Sequence, residues 1–272
     1  MIVNGDWQSA CLLELDRLFK PRREVLAVIQ YGSTARQAGL DQWSDIDLLI
    51  VVQTGSISRF VPDVAWTRDL GQLFAYETYV YDSRAVARLC FEDFRRLDLV
   101  FASPDQLADI GQWGKAYLCG PIRVRFCKEA SLLESLRPTA RPEPPGLSPE
   151  QFDTMVNRFW FGLMVAGTKV LRNDLVIGRH LALEAVQTCL VLEMVLRDRR
   201  TGTNFHREGG ESNALAERFA SVGAEPGAGG ILDTLDVSAG VFDRLAEAWD
   251  AGYRRRSEPF GQWMQAVRDA LG

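Results

Sequence analysis

Tyr31-Gly-Ser-Thr-Ala-Arg-Gln-Ala-Gly-Leu-Asp-Gln-Trp-Ser-Asp-Ile-Asp-Leu-Leu-Ile50 decides how the rest of the chain is read. An apolar run, Val25 to Ile29, leads into Gly32-Ser33, and a second apolar run carries Asp45 and Asp47. Side chains alternate faces along a strand, so Asp45 and Asp47 are expected on one face and Ile46, Leu48 and Ile50 on the other. Two carboxylates beside a Gly-Ser turn form a hard-oxygen site suited to Mg²⁺ and a phosphate-bearing ligand. A glycine at the turn lets backbone approach a triphosphate closely, a helix starting at Ser33 aims free N–H groups at it, and Arg36 adds a charge one turn on.

Outward from this stretch, Leu12, Leu15, Leu18 and Phe19 recur at helical spacing until Pro21. Val25–Tyr31 and Ile46–Val52 have strand length, with a short helix over 33–38 between them. A helix is expected over 61–70, then strands over 74–81, 85–91 and 96–102. Ser103-Pro104 opens a further helix, and 118–127 holds one or two short strands. Residues 137–149 contain five prolines in thirteen positions, a semi-rigid linker. Helices are expected after it over 150–172, 178–199, 211–221, a piece near 230–236, and 239–270. The fold class is α+β: a domain over 1–136 with a mixed sheet flanked by helices, the linker 137–149, and a helical bundle over 150–272.

At 272 residues with 47% hydrophobic and 25% charged side chains, the chain folds into one large or two ordinary domains. A net charge of −5 argues against gripping long nucleic acid through its phosphates. Five scattered cysteines without a C-x-x-C pair read as reduced thiols, and two histidines, His180 and His206, offer no zinc spacing. The N-terminus shows no signal peptide, and the apolar run 159–167 is too short to span a bilayer. A cytoplasmic protein that binds no membrane is expected.

Gly32-Ser33, eleven residues, then Asp45-Ile46-Asp47-Leu48 resembles the signature of the DNA polymerase beta-like nucleotidyltransferase superfamily. The layout, with a helical bundle after a proline-rich hinge, is most similar to its antibiotic-modifying branch, the lincosamide nucleotidyltransferases and aminoglycoside adenylyltransferases. The resemblance implies that 1–136 is the catalytic domain and 150–272 binds substrate. It implies two Mg²⁺ ions held by Asp45 and Asp47, and a triphosphate, ATP or another NTP, held by Gly32, Ser33 and Arg36. Such enzymes use a third carboxylate on a neighbouring strand. Asp98, inside the apolar run 96–102, fits as metal ligand or as general base for the incoming hydroxyl; the other reading is an exposed acid on an edge strand.

Two residues of the helical part complete the set. Lys169 is the only lysine beyond residue 128, and it reads either as a triphosphate contact or as a lysine snorkelling from a helix face. His180, Glu184 and Thr188 form a polar stripe at i, i+4, i+8. By resemblance Glu184 helps bind or deprotonate the acceptor; a solvated helix face is the alternative. The expected activity is transfer of a nucleoside monophosphate, AMP from ATP, to a hydroxyl of a small acceptor such as an aminoglycoside or lincosamide, with pyrophosphate leaving. The rivals are a protein-directed nucleotidyltransferase of toxin–antitoxin type and a non-catalytic nucleotide-binding module. Oligomeric state stays open, a homodimer among the options.

Overall fold

The computed structural model describes residues 7–36, 41–113, 118, 120–136, 147–202, 214–220 and 227–272. The chain forms two compact units, Met1–Pro142 and Glu143–Gly272. Ten residues of the proline-rich stretch, 137–146, lie outside the described set, as do His206 and Cys119.

The first unit carries six strands: β1 (Val25–Tyr31), β2 (Ile46–Val52), β3 (Leu73–Tyr81), β4 (Arg84–Phe91), β5 (Arg96–Ala102) and β6 (Arg123–Cys127). Its helices are α1 (Trp7–Phe19), α2 (Gly32–Arg36) and α3 (Ala130–Ser135). The sheet runs β3-β4-β5-β2-β1-β6, with β2 and β5 parallel and every other neighbouring pair antiparallel. The interior strands β1, β2 and β5 are apolar almost throughout because both faces are covered. One face packs Val28, Ile46, Leu48, Ile50, Leu97 and Leu99 against Leu12, Leu15 and Phe19 of α1. The other packs Ile29, Leu49, Val51 and Val100 beneath Leu107, Ile110 and Leu132. The mixed sheet with flanking helices is the α+β architecture expected.

The second unit is helical: α4 (Pro149–Leu171), α5 (Leu175–Thr201), α6 (Ala214–Phe219), α7 (Ala228–Trp249) and α8 (Ser257–Leu271). Ser148 starts α4 with a reciprocal capping box to Gln151, and Pro149 takes the first helical position, where its missing N–H costs nothing. The core is aromatic, with Phe159 and Phe242 stacked at 3.8 Å between ring centroids. Although α5 is long and apolar enough to cross a membrane, its buried positions Ala182, Ala185, Cys189 and Leu192 belong to this core.

Four expected elements differ. The helix over 61–70 is a 3₁₀ segment over Ala65–Leu70 only. Pro62 has no N–H to give, and the first donor, the Ala65 N–H, goes to the Asp63 carboxylate at 2.8 Å. Pro104–Gln112 is likewise 3₁₀ and not α, although its Ser103–Gln106 capping box is present. The piece at 230–236 and the long helix over 239–270 are redivided into α7 and α8. Buried Asp243 is the cause: it accepts from the backbone N–H groups of Arg256 (3.1 Å) and Ser257 (2.8 Å), which begins α8 after a reversal at 250–256. Apolar periodicity continues through that reversal and does not reveal it.

Candidate active site

The geometry around Asp47 is set by strand register. Tyr31 of β1 pairs with Asp47 of β2, Asp47 with Asp98 of β5, Asp98 with Arg88 of β4, and Arg88 with Glu77 of β3. Directly paired residues point to the same face, so one transverse row crosses five strands: Tyr31, Asp47, Asp98, Arg88, Glu77. The row is built by ordinary apolar strands whose alternate positions turn polar only here. Asp45 lies one residue before β2, at the end of the loop, and not within the strand.

That loop is anchored from both sides. Asp41 accepts from the Trp43 N–H (2.9 Å) and the Ser44 hydroxyl (2.8 Å), a local turn typical of aspartate. Gln8 of α1 donates to the carbonyls of Asp41 (2.8 Å) and Ser44 (3.2 Å), and Trp7 to that of Gln42 (3.0 Å). From β5, Arg96 donates to the Trp43 carbonyl at 2.8 Å. Trp43 itself is exposed.

Gly32 closes the site from the β1 side. Its φ is +71°, in the left-handed region that favours glycine, and a Cβ there would lie 2.0 Å from Asp47 Oδ2. The missing side chain thus makes room for the Asp47 carboxylate, a role that spacing alone did not reveal. Ser33 follows in α2, and Arg36 Nε donates back to the Gly32 carbonyl at 3.4 Å.

Asp98 sits on an interior strand, not on an edge, and its side chain is 29% exposed. Burial raises its carboxyl above the ordinary aspartate value, and the nearby Asp45 charge pushes the same way; the Arg88 guanidinium opposes both. Arg88 Nε bridges the two oxygens of Asp98 at 3.4 and 3.3 Å, and Arg88 Nη1 reaches Glu77 Oε2 at 3.2 Å. A cavity of about 300 Å³ opens over this end of the row, between Ala75, Glu77, Arg88, Cys90, Arg96 and Asp98. Arg88 and Glu77 were not among the sequence candidates. Only a predicted pairing of β4 with β5 would have found them.

The remaining two candidates belong to the second unit. Lys169, near the end of α4, pairs with Asp174 at 3.2 Å, and Asp174 caps α5. Glu184 lies on the exposed stripe of α5, 3.7 Å from His180, and lines a groove of about 410 Å³ with Arg158, Phe159, Gly162, Leu181 and Thr188.

The model of the streptomycin adenylyltransferase family matches residues 17–219, well over half of the chain. The chain belongs to the streptomycin adenylyltransferase family. It is therefore an enzyme, a nucleotidyltransferase of the antibiotic-modifying branch. Among solved structures it is similar to an aminoglycoside 6-adenyltransferase from Bacillus subtilis, at 14% identity over 97% of this chain and 99% of that one, with a TM-score of 0.44. It is also similar to a nucleotidyltransferase-like protein from Exiguobacterium sibiricum, at 10% identity over 90% and 77% of the two chains, with a TM-score of 0.31. Neither likeness is strong enough to carry an argument. No curated protein matches.

For an adenylyltransferase the donor chemistry of the three aspartates is apt. Asp45, Asp47 and Asp98 offer only carboxylate oxygens, the ligands that Mg²⁺ takes, and Asp47 and Asp98 stand in register on adjacent strands. Among the described residues no three acidic, histidine or cysteine side chains are gathered as a ready metal cage, and Asp98 is turned to Arg88.

Proposed function

We propose that this adenylyltransferase transfers AMP from ATP to a hydroxyl of a small molecule, an aminoglycoside such as streptomycin or a lincosamide, in a Mg²⁺-dependent reaction that releases pyrophosphate. The observation that carries the reading is the in-register pair Asp47–Asp98, with the left-handed Gly32 turned against Asp47. The acceptor oxygen forms a bond to the α-phosphorus as the bond to the pyrophosphate oxygen breaks. Asp98 takes the hydroxyl proton, a task suited to a carboxyl raised by burial. Asp45, Asp47 and Asp98 would hold Mg²⁺, which supplies a Lewis-acidic centre offsetting phosphate charge. Gly32, Ser33 and Arg36 hold the triphosphate. Glu184, beside an apolar groove, meets an amino group of the acceptor.

On this reading the 1–136 part is the catalytic domain and the 150–272 part binds the acceptor. The cytoplasm is the compartment, since ATP is the co-substrate and the described cysteines are free thiols. The test is pyrophosphate release with ATP, Mg²⁺ and a panel of aminoglycosides and lincosamides. Asp47→Ala is expected to lose about a hundredfold or more, the scale of removing one charge-stabilising group. Equal release by wild type and Asp47→Ala would overturn the assignment.

A further inference from the structure

Arg88 has two carboxylate partners on opposite sides of it, and only one of them is half-buried. Asp98, on the β5 side, has a side chain 29% exposed, whereas Glu77, on the β3 side, is 56% exposed. A carboxylate as enclosed as Asp98 is costly without a cation beside it; one as exposed as Glu77 is not. Arg88 approaches Asp98 from the side away from Asp47, because the strand order is β4-β5-β2. Its bonds to Asp98, at 3.4 and 3.3 Å, are long for a guanidinium–carboxylate pair, which normally closes to about 2.7–2.9 Å. The pair is thus loosely held, and the 300 Å³ cavity over Glu77, Arg88 and Asp98 leaves the guanidinium room to move.

We propose that Arg88 is a positioning residue that stands in for the metal: it holds Asp98 on the β4 side until a divalent cation on the Asp47 side takes its place, and Glu77 then retains the guanidinium. This rests on the reading that Asp47 and Asp98 hold a divalent cation. The five-donor fork of arginine suits the task, since Nη1 stays on Glu77 (3.2 Å) while Nε releases Asp98. Among the described residues no three acidic, histidine or cysteine side chains are gathered, and Asp98 is paired with Arg88. Arg88 and the cation compete for one carboxylate, so removing Arg88 strengthens cation binding. A merely structural arginine would weaken it or leave it unchanged.

The probe is Mn²⁺, its free concentration followed by electron paramagnetic resonance, with the full chain and no nucleotide. Arg88→Gln is expected to bind Mn²⁺ about fivefold more tightly than wild type, the scale of one partly exposed ion pair. The gain disappears in the Arg88→Gln/Asp98→Asn double variant. Arg88→Lys, which keeps the charge, stays near wild type, and Glu77→Gln binds more weakly because Arg88 loses its resting place. Unchanged or weaker binding by Arg88→Gln overturns the proposal, and so does a gain that survives in the double variant, since that is a general charge effect. Should Arg88→Gln not fold, Glu77→Gln decides alone: it touches no core, and binding equal to wild type overturns the proposal. If Asp47→Asn leaves wild-type Mn²⁺ affinity unchanged, the metal site itself is wrong, a separate failure.

Discussion

Gly32→Ala tests the site at its tightest point. Two costs follow from the structure. A residue with a Cβ at φ +71° is strained by about 1–2 kcal/mol. The new methyl would also stand 2.0 Å from Asp47 Oδ2. With ordinary contact near 3.5 Å, the carboxylate must retreat by about 1.5 Å. Misplacing a reacting group by about 1 Å costs on the order of a hundredfold in rate. Gly55→Ala is the control, because Gly55 has φ +81° and nothing within 4 Å of its would-be Cβ. Both variants should melt lower by a few degrees, Gly32→Ala at least as far as Gly55→Ala, at roughly 2–4 °C per kcal/mol for a chain of this size. Only Gly32→Ala should lose pyrophosphate release, by about a hundredfold on the same estimate. Thermal melts and pyrophosphate assays on the pair decide it. Gly32→Ala retaining activity within a few-fold of Gly55→Ala would refute the reasoning.

Asp98→Asn should be inactive yet more stable than wild type at pH 7. The folded carboxyl is raised above its unfolded value near 3.9, so the unfolded state releases its proton first, and stability falls as pH rises from there through the folded value. The gain in melting temperature should shrink as pH is lowered through that window, and a less stable variant at pH 7 contradicts it. In the second unit, the Tyr253 hydroxyl donates to Asp243 (2.7 Å) and accepts from Trp160 Nε1 (2.9 Å). Tyr253→Phe leaves the Trp160 N–H without its acceptor and should cost about 1–3 kcal/mol in urea unfolding. A loss under about 0.5 kcal/mol, the range of an ordinary surface change, would show that the network is not structural.

Much of the site was legible because its chemistry is local in sequence. Gly32, Ser33, Asp45 and Asp47 lie within one strand–turn–strand passage, and strand alternation alone orients Asp47 opposite Ile46 and Leu48. The apolar runs 25–31, 46–52 and 96–102 give the observed strands, since a buried strand must be apolar whatever its neighbours. The helical half was legible as helices, but not in its division. The break between α7 and α8 depends on a buried carboxylate gathering N–H groups thirteen and fourteen residues on.

Strand order and register were decided only by the tertiary structure. Nothing in the sequence says that β5 lies between β4 and β2, yet that order makes Asp98 an interior residue, pairs it with Asp47, and brings Arg88 and Glu77 into the row. Gly32 shows the same division. By itself the sequence offered a glycine for close backbone approach to a phosphate, whereas packing against Asp47 required the absence of a side chain. Local chemistry follows from the order of residues along the chain; which charge faces which is settled by hydrogen-bond register between strands far apart in that order.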